Sequence, residues 1–266
     1  MRSPGQAFDL RAALTEELRS AIDELDIVQN DPKAVHRCRV RVKRARALAR
    51  IGRACAPGLS SVFIDSTRAL MRNLALARDP AALQEAALSA AKVGGKKTAG
   101  ALEAAAQSIK ETAASHPTLN TEAARAGLKD LLALAQVWPE TSHRQLERGA
   151  KRLDKRARRA RRRGLVAVDP DMRHTWRTLE KDRFYAASIL GSAFWPSRRH
   201  RKLADRIGAA LGGERDATML MERLIAEPEL AGDERDLRRA LKHINRRRAR
   251  FARRADRLGR RMHSAP

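Results

Sequence analysis

The sequence predicts an all-α protein, and three observations support this fold class: the composition, the scarcity of strand-forming residues and the spacing of helix boundary signals. Ala and Leu dominate the 43% of hydrophobic residues, whereas aromatic residues make up only 3%. Ala, Leu, Arg, Lys and Glu lose little conformational freedom in a helix. An all-β fold would need more Val, Ile, Thr and Tyr than this chain contains.

Boundary signals divide the first part of the chain into helices. Asp31 and Pro32 end one helix and start the next, because an Asp side chain accepts hydrogen bonds from free backbone amides and Pro fits the first helical turn. Asp79 and Pro80 give the same signal further along the chain. The predicted helices cover residues of about 7–29, 32–55, 60–77, 80–94, 97–115, 121–137 and 142–163.

The pattern then starts again. Residues 164–171 are predicted to form a linker, within which Asp169 and Pro170 repeat the helix-start signal. Gly212 and Gly213 predict a break between two helices, and Pro228 predicts the end of the second. The predicted helices of this part cover about 171–194, 198–211, 214–226 and 232–262.

The charge of the chain restricts the kinds of partner that it can bind. It contains 56 Lys and Arg against 31 Asp and Glu, a formal net charge of +25. A folded protein with this excess repels itself, and a polyanionic partner would compensate it. Nucleic acid, an anionic membrane surface and inorganic polyphosphate all qualify. Arg far outnumbers Lys, which suits bidentate contacts to phosphate oxygens.

Other features exclude several classes of protein. Cys38 and Cys55 have no CxxC partner, so we expect neither a disulfide framework nor a zinc site. We also expect no signal peptide and no membrane span, and therefore a soluble cytoplasmic protein. The two histidines considered below lack metal-ligand spacing, and no P-loop occurs. The sequence therefore predicts a protein that is not an enzyme and that needs no cofactor or metal.

An internal repeat links the two parts. Asp31 lies five residues before His36, and Asp169 lies five residues before His174. Each histidine is followed by Arg at +3 and Lys at +7. Basic residues that only face solvent would not need a histidine at the same position in both parts. We therefore infer a duplication with halves 1–164 and 165–266.

Each repeat places its basic residues on one side of a helix. At about 100° per residue, the first set falls within roughly a quarter of the circumference, beside an apolar sector, and the second set does the same. Like charges at this spacing weaken a helix, and a bound anion would compensate for that cost. We name them after the second and eighth predicted helices, of about 32–55 and 171–194: the α2 stripe (His36, Arg39, Lys43, Arg46, Arg50) and the α8 stripe (His174, Arg177, Lys181).

These segments resemble a known family. The first repeat reads AVHRCRVRVKRARAL, the second RHTWRTLEKDRFYA, and a later segment LADRIGAALGGERDATML. They are similar to the signatures of the CHAD family, the conserved histidine α-helical domain, over residues of about 8–262. The resemblance implies two pseudo-symmetric helical bundles with a basic groove between them. It also implies inorganic polyphosphate as the ligand, residence on polyphosphate granules, and both stripes as the lining of the groove.

Three alternatives remain open at this point. Nonspecific nucleic-acid binding fits the charge, although there are few aromatic residues for base stacking and no recognised nucleic-acid motif. A phosphohydrolase would need a metal site assembled across the fold. A scaffold could use the arginine-rich C-terminal helix as a tether.

Overall fold

The computed structural model describes residues 8–31, 33–76, 79–114, 119–166, 169–191 and 198–263. Within these ranges the regular structure is entirely helical, so the predicted all-α fold class is confirmed. No helix in the described ranges is both long and apolar enough to span a lipid bilayer. The helices are α1 (Leu10–Asp26), α2 (Ala34–Gly52), α3 (Pro57–Leu76), α4 (Asp79–Ala91), α5 (Lys96–Ala114), α6 (Thr121–Gln136), α7 (His143–Val166), α8 (Pro170–Leu190), α9 (Arg198–Ala226), a 3-10 helix (Pro228–Ala231) and α10 (Glu234–His263).

The start signal caps one of the two repeated helices. At α8, the Asp169 carboxylate accepts a hydrogen bond from the backbone N–H of Asp171, and Pro170 occupies the first helical position. Before α2, the Asp31 carboxylate accepts a hydrogen bond from the backbone N–H of Lys33 at 2.8 Å, but Lys33 precedes the helix, and α2 begins without a side-chain cap. Pro32 lies outside the described residues. A short polar side chain therefore satisfies an amide that the start of α8 leaves without a partner.

The predicted break at Gly212 and Gly213 is wrong, because α9 continues through both residues. A Cβ atom at Gly213 would lie 2.7 Å from Cζ of Phe251 on α10. This glycine therefore allows an aromatic ring to pack directly against the helix backbone. The prediction took a residue needed for close packing as a helix breaker. At Gly191, by contrast, φ is 76°, and this glycine does end a helix.

The described chain forms two compact units, and each is built from two segments. Unit 1 comprises residues 1–75 and 119–205, and unit 2 comprises 76–118 and 206–266. This division groups residues that lie close together in space, and it differs from the predicted halves 1–164 and 165–266. The internal duplication from which those halves were inferred remains a prediction.

The core of unit 1 is formed where α2 packs against α1, α7 and α8. Leu14, Leu18, Val42 and Trp138 are fully buried there. The α2–α7 contact is so close that a Cβ at Gly149 would lie 2.9 Å from the carbonyl carbon of Ile51, and closer still to its oxygen. The position of α7 against α2 therefore depends on the missing side chain of Gly149.

A buried polar network joins α7 to α8. Arg183, only 1% exposed, forms ion pairs with Glu180 at 3.1 Å and with Asp154 of α7 at 2.7 Å. The indole N–H of Trp176 donates a hydrogen bond to Glu180 at 3.0 Å. Burial raises the pKa of Glu180, whereas Arg183 opposes that effect. Because its charged members have partners, this network fixes the axial rotation of α8 and hence the direction of the α8 stripe.

Unit 2 has a separate apolar core. It consists mainly of small and branched aliphatic side chains of α4, α5, α9, the 3-10 helix and α10, among them Ala90, Leu102, Ile109, Leu220 and Ile244. Because these side chains are small, the helices pack closely. The close packing gives the helices a large contact area although aromatic residues are scarce.

Candidate functional site

The α2 stripe runs from solvent into the interior of unit 1. His36 is exposed, whereas Arg39, Lys43 and Arg46 are half-buried. Arg50, at the end of the stripe, is buried with 9% exposure. Arg39 also donates a hydrogen bond to the backbone carbonyl of Met71 at 3.3 Å, which ties the middle of the stripe to α3.

Asp182 of α8 lies at the inner end of the α2 stripe. Its carboxylate is fully buried and forms ion pairs with Arg46 at 2.7 Å and with Arg50 at 2.6 Å. Burial lowers the pKa of Arg50, and Asp182 counteracts that effect by stabilising the charged guanidinium. One carboxylate therefore holds two guanidinium groups in place and neutralises only part of their combined charge.

The α8 stripe meets the α2 stripe around Asp182. His174 is exposed, and Arg177 and Lys181 are half-buried. The ammonium of Lys181 forms an ion pair with Asp205 at 2.9 Å and lies 5.4 Å from the ring centroid of Phe184. Asp205 is 46% exposed, so this pair lies at the edge of the site, in contact with solvent.

Tyr185 shows that residues of both stripes converge. Burial raises the pKa of its hydroxyl, and the nearby positive charges of Arg177 and Arg46 oppose that change. These two arginines belong to different helices and act on the same phenol. The structure therefore brings together Arg46, Arg50, Arg177 and Lys181, with Asp182 and Tyr185 among them.

The two histidines lie further out. His36 precedes Arg46 by ten residues, which corresponds to about 15 Å along the helix axis. His174 precedes Asp182 by eight residues, or about 12 Å. Both imidazoles are exposed near the N-terminal ends of their helices. They occupy the outer ends of the two stripes rather than the centre at Asp182.

Three further arginines extend the basic centre onto α3 and α7. The pKa of Arg156 is lowered by burial and then by the positive charge of Arg53, with a smaller effect of Arg68. Arg156 in turn lowers the pKa of Arg50. Within the described residues, neither Arg53 nor Arg156 forms an ion pair. The sequence analysis did not select them, because Arg156 lies on a helix without the repeated histidine and Arg53 follows the last residue of α2.

The site offers fixed positive donors rather than a set of metal ligands. In the part of the chain that the structure describes, no group of three or more His, Cys, Asp or Glu could hold a metal ion. Guanidinium groups present several N–H donors in a fixed plane, which suits the oxygens of tetrahedral oxyanions. Chemically, the arrangement can therefore bind an anion that carries several negative oxygens.

Comparison with known proteins identifies the family. The sequence model of the CHAD domain matches residues 12–207, which is well over half of the chain. The chain belongs to the CHAD domain family. Both stripes lie inside the matched part of this CHAD protein.

A solved structure shares the CHAD fold. The crystal structure of the CHAD domain from the plant Ricinus communis matches with a TM-score of 0.65 and 21% sequence identity. The match covers 100% of this chain and 97% of the plant chain. Among curated proteins, no relative matches this sequence.

Proposed function

We propose that this CHAD protein binds inorganic polyphosphate through the α2 and α8 stripes, and that it acts as a binding protein rather than an enzyme. The observation that carries the proposal is the pairing of Arg46 and Arg50 with the single buried carboxylate of Asp182, next to Tyr185, whose hydroxyl is near Arg46 and Arg177 of the two stripes. Asp182 compensates only part of the charge of Arg46 and Arg50. The remainder favours an anion with several negative groups.

Binding would use the two stripes in different ways. The half-buried arginines would donate charge-assisted hydrogen bonds to phosphate oxygens in a partly desolvated setting, where each bond is stronger than in water. The exposed histidines at the outer ends would contact phosphates further along the chain. A polyphosphate strand would release its condensed counterions on binding, so we expect the affinity to fall steeply with salt.

A four-site variant tests the assignment of the stripes. We expect His36→Ala/Arg39→Ala/His174→Ala/Arg177→Ala to weaken binding of long-chain polyphosphate by at least about 100-fold, because two charge-assisted contacts are worth about 1.5–3 kcal/mol each. Calorimetric titration at about 0.15 M ionic strength measures the loss. Circular dichroism verifies that the helices are retained.

The matched control removes more positive charge than the four-site variant does, and it removes that charge from a surface outside the stripes. It replaces by glutamine four lysines that are exposed and lie in unit 2: Lys92, Lys96, Lys97 and Lys110. This four-lysine control should bind within about twofold of the wild type, as expected for changes in screened surface charge. Equal weakening in both variants would show that diffuse charge, not the stripes, attracts the ligand.

Asp205 gives a prediction of opposite sign. In the free protein its carboxylate pairs with Lys181 and competes with an incoming phosphate. Asp205→Asn should raise the affinity for polyphosphate about two- to fivefold, the range expected for releasing an exposed ion pair. Titration of the single variant checks this, with Asp26→Asn as the control, since Asp26 pairs with Arg125 of α6, outside both stripes. An unchanged or lower affinity would exclude Lys181 as a ligand contact.

Nucleic acid is the competing ligand for the same charge. Among its described residues the site contains no exposed row of aromatic rings for base stacking, and only 3% of the chain is aromatic. Competition between polyphosphate and duplex DNA of equal total charge separates the two ligands. We further propose association with polyphosphate granules and an origin of α2 and α8 by duplication, supported by their shared start signal and histidine offset.

A further inference from the structure

The last helix of unit 2 has two chemically opposite faces. Along α10, Ala240, Ile244, Ala255 and Leu258 are buried. The opposite face carries a row of basic side chains at steps of three or four residues, all of them exposed. We name this row the α10 ridge, and it consists of Lys242, Arg246, Arg250, Arg253, Arg257 and Arg260.

The ridge is narrow, straight and long. At about 100° per residue, its six positions fall within a sector of about 80°. At about 1.5 Å of rise per residue, it extends over about 27 Å. Successive charges are therefore separated by about 4.5–6 Å along the helix axis. This is a linear array of cations and not a cluster around one point.

The ridge lacks internal compensation. Among the described residues, none of its six members forms an ion pair. From 237 to 263 the sequence contains one acidic residue, Asp256, which is half-buried. The basic helix α7 differs, because Glu147 pairs there with Lys151 at 2.6 Å and Asp154 with Arg158 at 2.6 Å.

Contacts on the other side of α10 hold the ridge in a fixed direction. The imidazole of His243 lies 3.1 Å from the carbonyl oxygen of Ala90, and Arg247 donates a hydrogen bond to the Ser89 hydroxyl at 3.0 Å. The ring of Phe251 packs against Gly213 of α9. The helix therefore cannot turn its basic face towards another part of unit 2.

This arrangement costs stability in the free protein. Like charges three or four residues apart each destabilise a helix by about 0.2–0.5 kcal/mol. The ridge contains five such neighbouring pairs, and Asp256 is the one acidic residue within its span of sequence. A bound polyanion would turn these repulsions into favourable contacts along the whole row.

We propose that the α10 ridge is a second polyanion-binding surface, which holds a strand of inorganic polyphosphate separately from the α2 and α8 stripes. The identity of the ligand rests on the proposed function, whereas the existence of the surface rests on the ridge itself. A flexible single strand can follow a straight row of charges, but the phosphates of a duplex follow a helical path and meet such a row only in part. A long chain that occupies both surfaces would gain affinity through its high effective concentration.

The ridge also lies outside the part of the chain that identifies the family. The CHAD sequence model matches residues 12–207, and α10 begins at Glu234. The stripes and the ridge can therefore be varied separately, since they lie on different helices and in different compact units.

The test neutralises the ridge and leaves the stripes intact. The ridge variant is Arg246→Gln/Arg250→Gln/Arg253→Gln/Arg257→Gln, with glutamine chosen because it retains helix propensity. It is compared with the wild type, the four-lysine control and the four-site stripe variant. Binding of long-chain polyphosphate and of duplex DNA is measured over a series of salt concentrations.

We expect the ridge variant to bind long-chain polyphosphate at least about tenfold more weakly than the wild type. The slope of log affinity against log salt should fall by about 3, at about 0.7 per lost contact to a single strand. The four-lysine control should change neither quantity. Equal behaviour of the ridge variant and this control overturns the ridge proposal, whereas equal behaviour of the stripe variant and the control overturns the proposed function. Loss of DNA binding alone would make the ridge a nucleic-acid surface.

Discussion

Replacing Asp182 by alanine is expected to lower the free energy of unfolding by about 3–5 kcal/mol, the cost of removing one partner from a buried ion pair. The substitution would leave two guanidinium groups without their counter-charge. The Arg50 side chain is 7% exposed and that of Arg46 is 13% exposed, so water would compensate little of the loss.

Denaturant unfolding followed by circular dichroism measures this effect. Asp205→Ala is the matched control, because it removes an aspartate of the same site whose ion pair is largely exposed. The control should lose less than about 1 kcal/mol. A similar small loss in Asp182→Ala would mean that Arg46 and Arg50 can reach solvent, and that the inner end of the α2 stripe is more open than the structure shows.

The same substitution has a second consequence if the proposed function holds. A phosphate group could replace the lost carboxylate between the two arginines. Long-chain polyphosphate should therefore raise the melting temperature of Asp182→Ala more than that of the wild type, because ligand that binds only the folded state stabilises it. An equal shift in both proteins would place the bound phosphates away from Arg46 and Arg50.

Gly149→Ala is expected to destabilise unit 1 by about 3 kcal/mol, at the upper end of the range for overpacking. The added methyl group would collide with the backbone of Ile51, so no side-chain rotation can relieve the clash. Helices α2 and α7 would have to separate, and the stripe on α2 would shift with them.

Gly100→Ala is the control for Gly149→Ala, and we expect it to raise the stability of the protein instead of lowering it. Gly100 lies inside α5, and no atom lies within 4 Å of a Cβ built there. This substitution should stabilise the protein by about 0.5–1 kcal/mol through helix propensity alone. Thermal unfolding of both variants distinguishes the two effects. If Gly149→Ala is also stabilising, the close approach of α2 and α7 is incorrect.

Helix positions could be predicted well because their signals are local. The cap at Asp169 depends on a residue two positions away, and the apolar sector of α2 depends on helical periodicity. Each can be recognised in a short window of sequence. The family was likewise recognisable, because the repeated histidine, arginine and lysine spacing is contained within single helices.

Contacts between helices could not be predicted in the same way. The role of Asp182 depends on the packing of α8 against α2, and its partner Arg46 lies 136 residues away in the sequence. An acidic residue inside a basic repeat was a usable signal for it. Nothing in the sequence indicated that Arg156 lies near Arg50, because that proximity arises from tertiary packing, whereas Arg53 is only three residues from Arg50 along the chain.

The discontinuous composition of the two units has a consequence for the order in which the protein matures during synthesis. Helices α4 and α5 leave the ribosome early, yet the chain that completes their apolar core starts only at residue 206. At about 5–20 residues per second, α5 would wait roughly 7–30 s for the C-terminal helix. During that interval Leu102 and Ile109 lack their native cover, so the nascent chain offers a target for chaperones. A stop codon before α10 would make that exposure permanent.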